Sequence, residues 1–437
     1  MEHLALIADV NRPWPDPVLL WTIVLGALCN CSCALLGCYL VLRRLSLLGD
    51  AISHAVLPGI ALAFLFTGKI SGWPIVLGAM ALGILTCFLT EALQRIGKVN
   101  EDASMGVVFT SLFAMGVIMI SQSARHTDLD PGCVLYGLLE LAPLDEVPLF
   151  GFEVPRSFLT LALVFLGVIV FVTLFWKELK IASFDPQLAT AMGLSAGIIH
   201  YSLMAMVAGV TVACFEAVGS ILVVAMLIVP AATAHLLTDR LRPMLLWSLA
   251  VAVLSSVLGY WGALTWNTSV AGMMSVAAGA QFALAFLFAP RHGLVSKLIR
   301  QTQLSLRIAC EDLLAKKFRL LESGNEASLQ TVARTPERTS NNVLDGIALR
   351  VLIRKGFATP GKNADWQLTE KGKETAKFIV RSHRLWESYL GEHFELPLDH
   401  LHDAAERMEH FITPELQTEI AAQLGAKSVD PHGREIP

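Results

Sequence analysis

The feature that most constrains this chain is the point at which its apolar runs stop. Residues 1 to about 290 are a succession of long apolar segments, whereas the last 147 residues are charged and read as soluble; Lys and Arg number 12 in the first part and 21 in the second. An apolar fraction of 54% with only 16% charged residues lies outside the range of ordinary aqueous domains. The runs also approach the roughly 20 residues that a helix needs to cross a bilayer. The fold expected is an all-α polytopic membrane bundle of about nine transmembrane helices, followed by a mainly α soluble part.

The spans read from the apolar runs lie at about 17–42, 51–67, 73–92, 104–121, 156–176, 198–213, 215–237, 243–262 and 267–289. Arg43 and Arg44, Arg95 and Lys98, Lys177 and Lys180, and Arg240 and Arg242 follow odd-numbered spans, and positive loops are retained in the cytoplasm. That places residues 1–16 outside and the soluble part inside, in a multi-pass protein of the bacterial inner membrane. No positively charged start followed by an apolar stretch and a small-residue cleavage site precedes the first span, so no removable signal is expected. Cys29, Cys31 and Cys33 look like a metal cluster, but alternate residues of a helix point about 200° apart. They read as small residues for helix packing.

Two places in the membrane part carry ligand chemistry. Asp50 and His54 lie four apart on one helical face, and an intramembrane ionisable pair is a functional site by default. Pro58-Gly59 follows them and would free backbone carbonyls toward a cavity. Glu216, near the start of a span, offers a carboxylate on the outer side, with Pro230 deeper in the same helix. Between two spans, Asp185 as cap, Pro186 at the first helical position and Gly193 as stop define a short helix that includes Ala189. A capped helix isolated in a loop is a natural docking knob for a partner.

These segments resemble the permease subunits of the manganese/zinc/iron class of ABC importers. The resemblance rests on Leu47 to Gly59, Glu101 to Gly106, the Asp185 to Leu194 loop and Val218 to Ala234, and covers residues 15–290. It implies a homodimer or a pair with a paralogous permease, an ATP-binding subunit docked on the 185–194 loop, and an extracytoplasmic metal-binding protein. Asp50 and His54 match the family's intramembrane acid and histidine. No G-x-x-x-x-G-K-[ST] phosphate loop occurs, so the chain is not expected to be an enzyme or to bind nucleotide; ATP hydrolysis falls to a separate subunit.

After a linker at 291–304, the pattern turns to helix, helix and turn-rich ribbon over 305–369, the outline of a degenerate winged helix. Helices follow at about 370–390 and 398–411, and a last one stops at Gly425. Offsets of 4, 7 and 8 from His402 place Glu406, Glu409 and His410 on one face with it, while His383 and Glu387 form a second i, i+4 pair on the preceding helix. Carboxylate and imidazole without thiolate suit Mn(II) or Fe(II) better than structural zinc, although affinity alone favours Zn(II).

This region, 305–437, resembles the manganese- and iron-responsive repressors of the diphtheria toxin repressor family, on Arg381 to Glu387, His402 to His410, and Asp430 to Pro437. The resemblance makes 370–437 a metal-binding and dimerisation domain. It places His383, Glu406, Glu409 and His410 on primary metal positions, Glu387 and His402 on ancillary ones, and Asp312 on a first-helix ligand position. Glu406 stands where iron-type members have Cys, which points to Mn(II), and Ala315 stands where manganese-type members place a second acid. DNA binding is disfavoured, because the last 147 residues hold 21 Lys and Arg against 20 Asp and Glu. The reading is a permease for divalent transition metal, Mn(II) first, with a cytoplasmic metal-sensing domain; the rival is a membrane-tethered, metal-dependent transcription regulator.

Overall fold

The computed structural model describes residues 17–45, 49, 51, 55, 57–67, 73–123, 139–149, 152–322, 342–361, 366–394, 398–425 and 429–437. It forms two compact units, Met1–Ser296 and Lys297–Pro437.

In hydrocarbon every backbone group must find its partner within the chain, and the first unit solves this with helices. They are α1 (Pro17–Leu42), α2 (Leu57–Thr67), α3 (Trp73–Gly97), α4 (Glu101–Ser123), α5 (Arg156–Leu174), α6 (Trp176–Phe184), α7 (Pro186–Ala191), α8 (Ala196–Val218), α9 (Ser220–Leu237), α10 (Leu241–Trp266) and α11 (Val270–Phe288). A small antiparallel ribbon, β1 (Glu146–Leu149) with β2 (Phe152–Pro155), precedes α5. Each expected span holds a helix. Six are long and apolar enough to cross a membrane by length and composition, whereas α2 and the Leu222–Leu237 part of α9 are apolar but shorter.

Burial separates the bundle's centre from its rim. More than half of the apolar windows of α1 and α8 is buried (56% in each), against 17% for α5, so α1 and α8 run through the interior of the bundle. A Cβ on Gly37 of α1 would lie 1.8 Å from the Leu227 carbonyl oxygen of α9, so only glycine permits that approach. Asn30 clamps α1 to α10 by donating to the Ala252 carbonyl (2.9 Å) and Ser255 Oγ (2.7 Å). Cys29 and Cys33 are buried in the main core, while Cys31 packs apart with Ala34 and Ala252. The cysteines of α1 are packing residues, as their spacing implies.

Pro58 and Gly59 serve close packing of helices. A Cβ on Gly59 would lie 2.6 Å from the Gly78 carbonyl of α3, and one on Gly116 of α4 would lie 2.8 Å from the Pro58 ring. The break expected before Glu216 falls later: α8 runs through Glu216 to Val218 and ends at Gly219, whose φ of 79° is costly for any other residue. Glu216 is thus near the end of α8 and not at the start of α9.

The second unit is built from α12 (Leu294–Glu322), which begins in the last residues of the first unit, then α13 (Asn342–Arg354), the hairpin β3 (Ala358–Pro360) with β4 (Trp366–Leu368), α14 (Glu370–His393), α15 (Leu398–Met408), a 3₁₀ turn (Glu409–Phe411) and α16 (Pro414–Gln423). Residues 294–304, expected as linker, are helical. Leu314, Leu352, Ala358, Leu368 and Ala376 draw α12, α13, the hairpin and α14 into one core. A Cβ on Gly372 would lie 2.0 Å from the Phe357 carbonyl, which fixes glycine where α14 leaves the hairpin. Leu385, Ile420 and Leu424 pack α16 on α14.

Candidate metal centre

The soluble unit buries charged groups that water would otherwise hold, and such burial is tolerated only where they pair. His383, Arg384, Glu387 and Glu409 are each at most 5% exposed. The ring of His383, on α14, stands between two ligand groups. On one side its Nε2 lies 3.2 Å from Glu387 Oε1 and 3.1 Å from His402 Nδ1, and His402 Nδ1 lies 2.9 Å from the same Glu387 oxygen. On the other side its Nδ1 lies 2.6 Å from Glu409 Oε2.

The second group contains Asp312, Glu409 and His410, with His410 Nε2 3.1 Å from Asp312 Oδ1 and 3.9 Å from Glu409 Oε1. His410 Nδ1 faces Glu311 Oε2 at 2.9 Å. A carboxylate behind one ring nitrogen turns the other toward the ligand position, the arrangement that orients metal-bound imidazoles. Glu387 takes part in a third group with Asp430 and His432, the His432 Nδ1 lying 3.8 Å from Glu387 Oε2.

The charges show how tightly these groups are coupled. Burial opposes a charge on His410, but hydrogen bonds to Asp312 and Glu311 outweigh it and push its pKa up to about 10. Burial likewise opposes ionisation of Glu387, and hydrogen bonds from His383 and His402 bring its pKa down to about 2. His383 is raised by Glu387 and Glu409 against its own burial. The imidazolium protons hold carboxylates together where a cation of higher charge would do the same.

The donor set fits a divalent transition ion. His383 Nδ1 is buried without a directed hydrogen bond although it lies beside Glu409, leaving a nitrogen that a cation would satisfy. Oxygen and imidazole ligands within 4.8 Å of one another, with no thiolate, match the preferences of Mn(II), Fe(II) and Zn(II). Arg319 Nη2, 3.3 Å from Glu409 Oε2, supplies positive charge at the same carboxylate.

The helical spacing that grouped His402, Glu406, Glu409 and His410 on one face does not carry through. The α-helix ends at Met408 and Glu409–Phe411 is a 3₁₀ turn; Glu409, four residues after Ala405 and eight after Leu401, continues the buried stripe of α15, and Glu406 lies off it. Glu406 is exposed and lies in none of the ligand groups among the described residues. Glu311, Asp430 and His432 were not singled out as ligands from the sequence. Glu311 adjoins Asp312 and has the right chemistry; the other two carry no helical periodicity, because they meet Glu387 through a C-terminal turn. In that turn Asp430 Oδ1 accepts from the amides of His432 and Arg434.

In the membrane unit, Asp50 and His54 lie outside the described residues, as does the side chain of Glu216. The short helix in the loop forms as its caps dictate. Asp185 accepts from the amides of Gln187 (3.0 Å) and Leu188 (2.9 Å), Pro186 opens α7, and Gly193 closes it at φ 81°. Ala189 is fully buried, while Phe184, Leu188 and Met192, four apart, are exposed.

Residues 15–289 match the profile of the ABC 3 transport family. The chain belongs to that family. Residues 369–437 match the iron dependent repressor metal binding and dimerisation domain. The chain is 47% identical over 281 residues to a manganese transport system membrane protein, MntD, of Bacillus subtilis, covering 64% of this chain and 95% of the relative. The MntC protein of the same organism, also a manganese transport system membrane protein, is 30% identical over 396 residues, 90% of this chain and 87% of the relative, so that likeness extends into the soluble unit. Among solved structures, PsaBC from Streptococcus pneumoniae in complex with Fab is 30% identical, with a TM-score of 0.54 over 64% of this chain and 94% of that one. The ABC-3 chain is therefore a multi-pass membrane permease whose role is transport, joined to a repressor-like domain with ligand groups for a divalent metal.

Proposed function

We propose that this chain is the permease subunit of an ABC importer whose cargo is a divalent transition metal, Mn(II) first, and that its soluble unit is a cytoplasmic sensor of the same metal. The observation that carries the reading is the presence, in one ABC 3 family chain, of a capped docking helix with an exposed apolar edge and a buried oxygen–imidazole ligand set. Manganese relatives along the membrane unit, one of them extending over 90% of the chain, support the choice of ion.

In this reading Asp50 and His54 line the path of the cargo, with Glu216 nearer the outer side. Asp185, Pro186, Ala189 and Gly193 shape the helix on which a separate ATP-binding subunit docks, through Phe184, Leu188 and Met192. An extracytoplasmic metal-binding protein delivers the ion, and a second copy or a paralogous permease completes the pore. The N-terminus is outside and the soluble unit inside.

Within the soluble unit, Asp312, Glu409, His410 and His383 Nδ1 would hold one ion, with Glu387 and His402 as the ancillary set. A bound ion would supply the positive charge that protons on His410 and His383 otherwise supply. Arg384 then links the site to the ends of the unit: it pairs with Glu322 at the end of α12 (2.6 Å) and donates to the Glu435 carbonyl (2.5 Å). Occupancy is thereby communicated to α12, the helix that continues from the membrane unit. Uptake of labelled Mn(II), Zn(II) and Fe(II) into vesicles holding this chain and its ATPase tests the reading; saturable, ATP-dependent Mn(II) entry is the expected result. ATP-independent or absent entry of all three ions would leave the chain a tethered regulator.

A further inference from the structure

The soluble unit holds a third convergence of ligand side chains, to which neither ion position above gives a role. Glu387 of α14, Asp430 and His432 each offer one atom, and the three atoms lie within 4.8 Å of one another. Glu387 and Asp430 are 2% and 7% exposed, whereas the His432 side chain is 37% open to solvent. The two oxygens of Glu387 are divided between neighbours. Oε1 lies 3.2 Å from His383 Nε2 and 2.9 Å from His402 Nδ1, while Oε2 faces His432 Nδ1 at 3.8 Å. That last separation is too long for a hydrogen bond. It is close to the roughly 3.0–3.4 Å between two ligands that each stand about 2.1 Å from one ion. A buried carboxylate oxygen is thus aimed at an imidazole nitrogen with which it does not bond.

The turn that brings Asp430 and His432 to Glu387 is built by its own backbone. Asp430 Oδ1 accepts from the amides of His432 (2.9 Å) and Arg434 (2.8 Å), the Asp430 amide donates to the Arg434 carbonyl (2.8 Å), and Gly433 closes the turn at φ 78°. Pro431 seats it on α14 beside Gly391, one helical turn after Glu387, where a Cβ would lie 3.6 Å from the Pro431 ring. Arg384 stands with Nε 3.9 Å from Asp430 Oδ2, but its Nη2 is paired with Glu322 at 2.6 Å and its Nη1 donates to the Glu435 carbonyl. One guanidinium therefore serves several acceptors, and the negative charge of Glu387 and Asp430 is only partly balanced. Ligands held in place before binding lose little freedom when an ion arrives.

We propose that Glu387 Oε2, an Asp430 carboxylate oxygen and His432 Nδ1 form a further position for a divalent first-row ion, bound by two oxygens and one imidazole, with Glu387 shared between it and the His383–His402 side. Its role rests on the sensor reading, but the position stands on its own residues. His432 binds through the Nδ1 lone pair and keeps its proton on Nε2, and water enters and completes the coordination through the open side at His432. One ligand is exposed and Arg384 offsets part of the charge, so this position fills after the buried ones. Its ion clamps the C-terminal turn to α14, giving the sensor a second stage at higher metal concentration.

The purified full-length chain in detergent is tested with Mn(II) in equilibrium dialysis. Asp430→Asn keeps an oxygen for the amides of the turn and removes the charge. Asp430→Asn and His432→Gln are each expected to weaken the last Mn(II) to bind by about tenfold or more, with the metal-free melting temperature unchanged. His432→Cys gives a signal that a purely structural turn would not produce. A thiolate on Co(II) absorbs in the near ultraviolet by charge transfer, so a band beyond any shown by the wild type is expected in His432→Cys, and its loss when Asp430→Asn is added. Unchanged Mn(II) binding in both Asp430→Asn and His432→Gln, or no new band in His432→Cys, overturns the position. His410→Ala separates the two readings: loss of an ion there, while the Asp430 and His432 variants keep theirs, sinks this position alone, whereas no loss in any of the variants sinks the sensor itself.

Discussion

The two units handle polar side chains in opposite ways. In the membrane unit, Thr22, Ser32, Thr86, Thr90, Thr211 and Thr233 turn their hydroxyls back onto carbonyls four residues earlier in their own helices. The ion pair of Arg291 with Asp239 lies at the exposed helix ends. In the soluble unit, residues far apart in sequence bring buried charges together: Asp312 meets His410, Glu322 meets Arg384, and Glu387 meets both His402 and His432. Hydrocarbon offers no water to satisfy a polar atom, so these hydroxyls are satisfied within their own helices, and longer-range bonds such as that of Asn30 to α10 join neutral groups. The soluble unit can hold a charged network whose partners exchange between protons and a metal, which suits sensing.

The largest expected effect would break this contrast at its strongest point. Asp50→Ala or His54→Ala abolishes Mn(II) uptake by the chain with its ATPase while leaving the protein in the membrane, because an ionisable pair within an apolar span is costly unless it serves the pathway. Normal uptake in both variants, measured with labelled Mn(II) in vesicles, would sink that assignment. Next in size, His410→Ala or Glu409→Gln lowers Mn(II) affinity of the soluble unit by about tenfold or more in calorimetry, with uptake at low internal metal unaltered.

Proton linkage sharpens the comparison further. His410, raised from 6.5 to about 10, contributes stability that is fully present below about pH 6.5 and lost as pH rises toward 10. Glu387, lowered from 4.5 to about 2, contributes stability present above about pH 4.5 and lost as pH falls toward 2. Thermal melts of the metal-free soluble unit are expected to peak between those limits, and Mn(II) to raise the melting temperature more at about pH 8 than at about pH 6, since it competes with the His410 proton. An equal metal-induced rise at both pH values would contradict the exchange.

A smaller effect belongs to the docking helix. Asp185→Ala removes a side-chain cap worth about 1 kcal/mol and should partly uncouple ATP hydrolysis from uptake, read as more ATP hydrolysed per ion. Smallest is Glu406→Gln, whose side chain is exposed; its loss of Mn(II) affinity should be well below that of Glu409→Gln. Equal losses would mean that Glu406 turns inward to bind.

What the sequence made legible follows the range of the interactions involved. Asp185, Pro186 and Gly193 bounded their helix correctly because caps and stops act within a few residues. The hairpin at 358–368 and the helix stop at Gly425, where φ is 65°, were legible for the same reason. The end of α8 was misplaced because both sides of Gly219 are equally apolar, and only its backbone conformation marks the break. In the metal centre the ligand-type residues were legible as chemistry, but not their grouping. Spacing alone allows one stripe through His402 and Glu406 and another through Leu401, Ala405 and Glu409, and it is the second that is buried. Glu311 and His432 reach the centre through α12 and the C-terminal turn, contacts that no local pattern encodes.

The central claim, that one chain couples a metal pathway to a metal-operated control, is tested most directly by Mn(II) uptake in vesicles as a function of Mn(II) on the side of the soluble unit. The full-length chain and a chain ending at Arg291, each with the ATPase, should be compared at matched initial rates. The account predicts that the full-length importer slows as that Mn(II) rises and the truncated one does not. Identical curves from the two would contradict it.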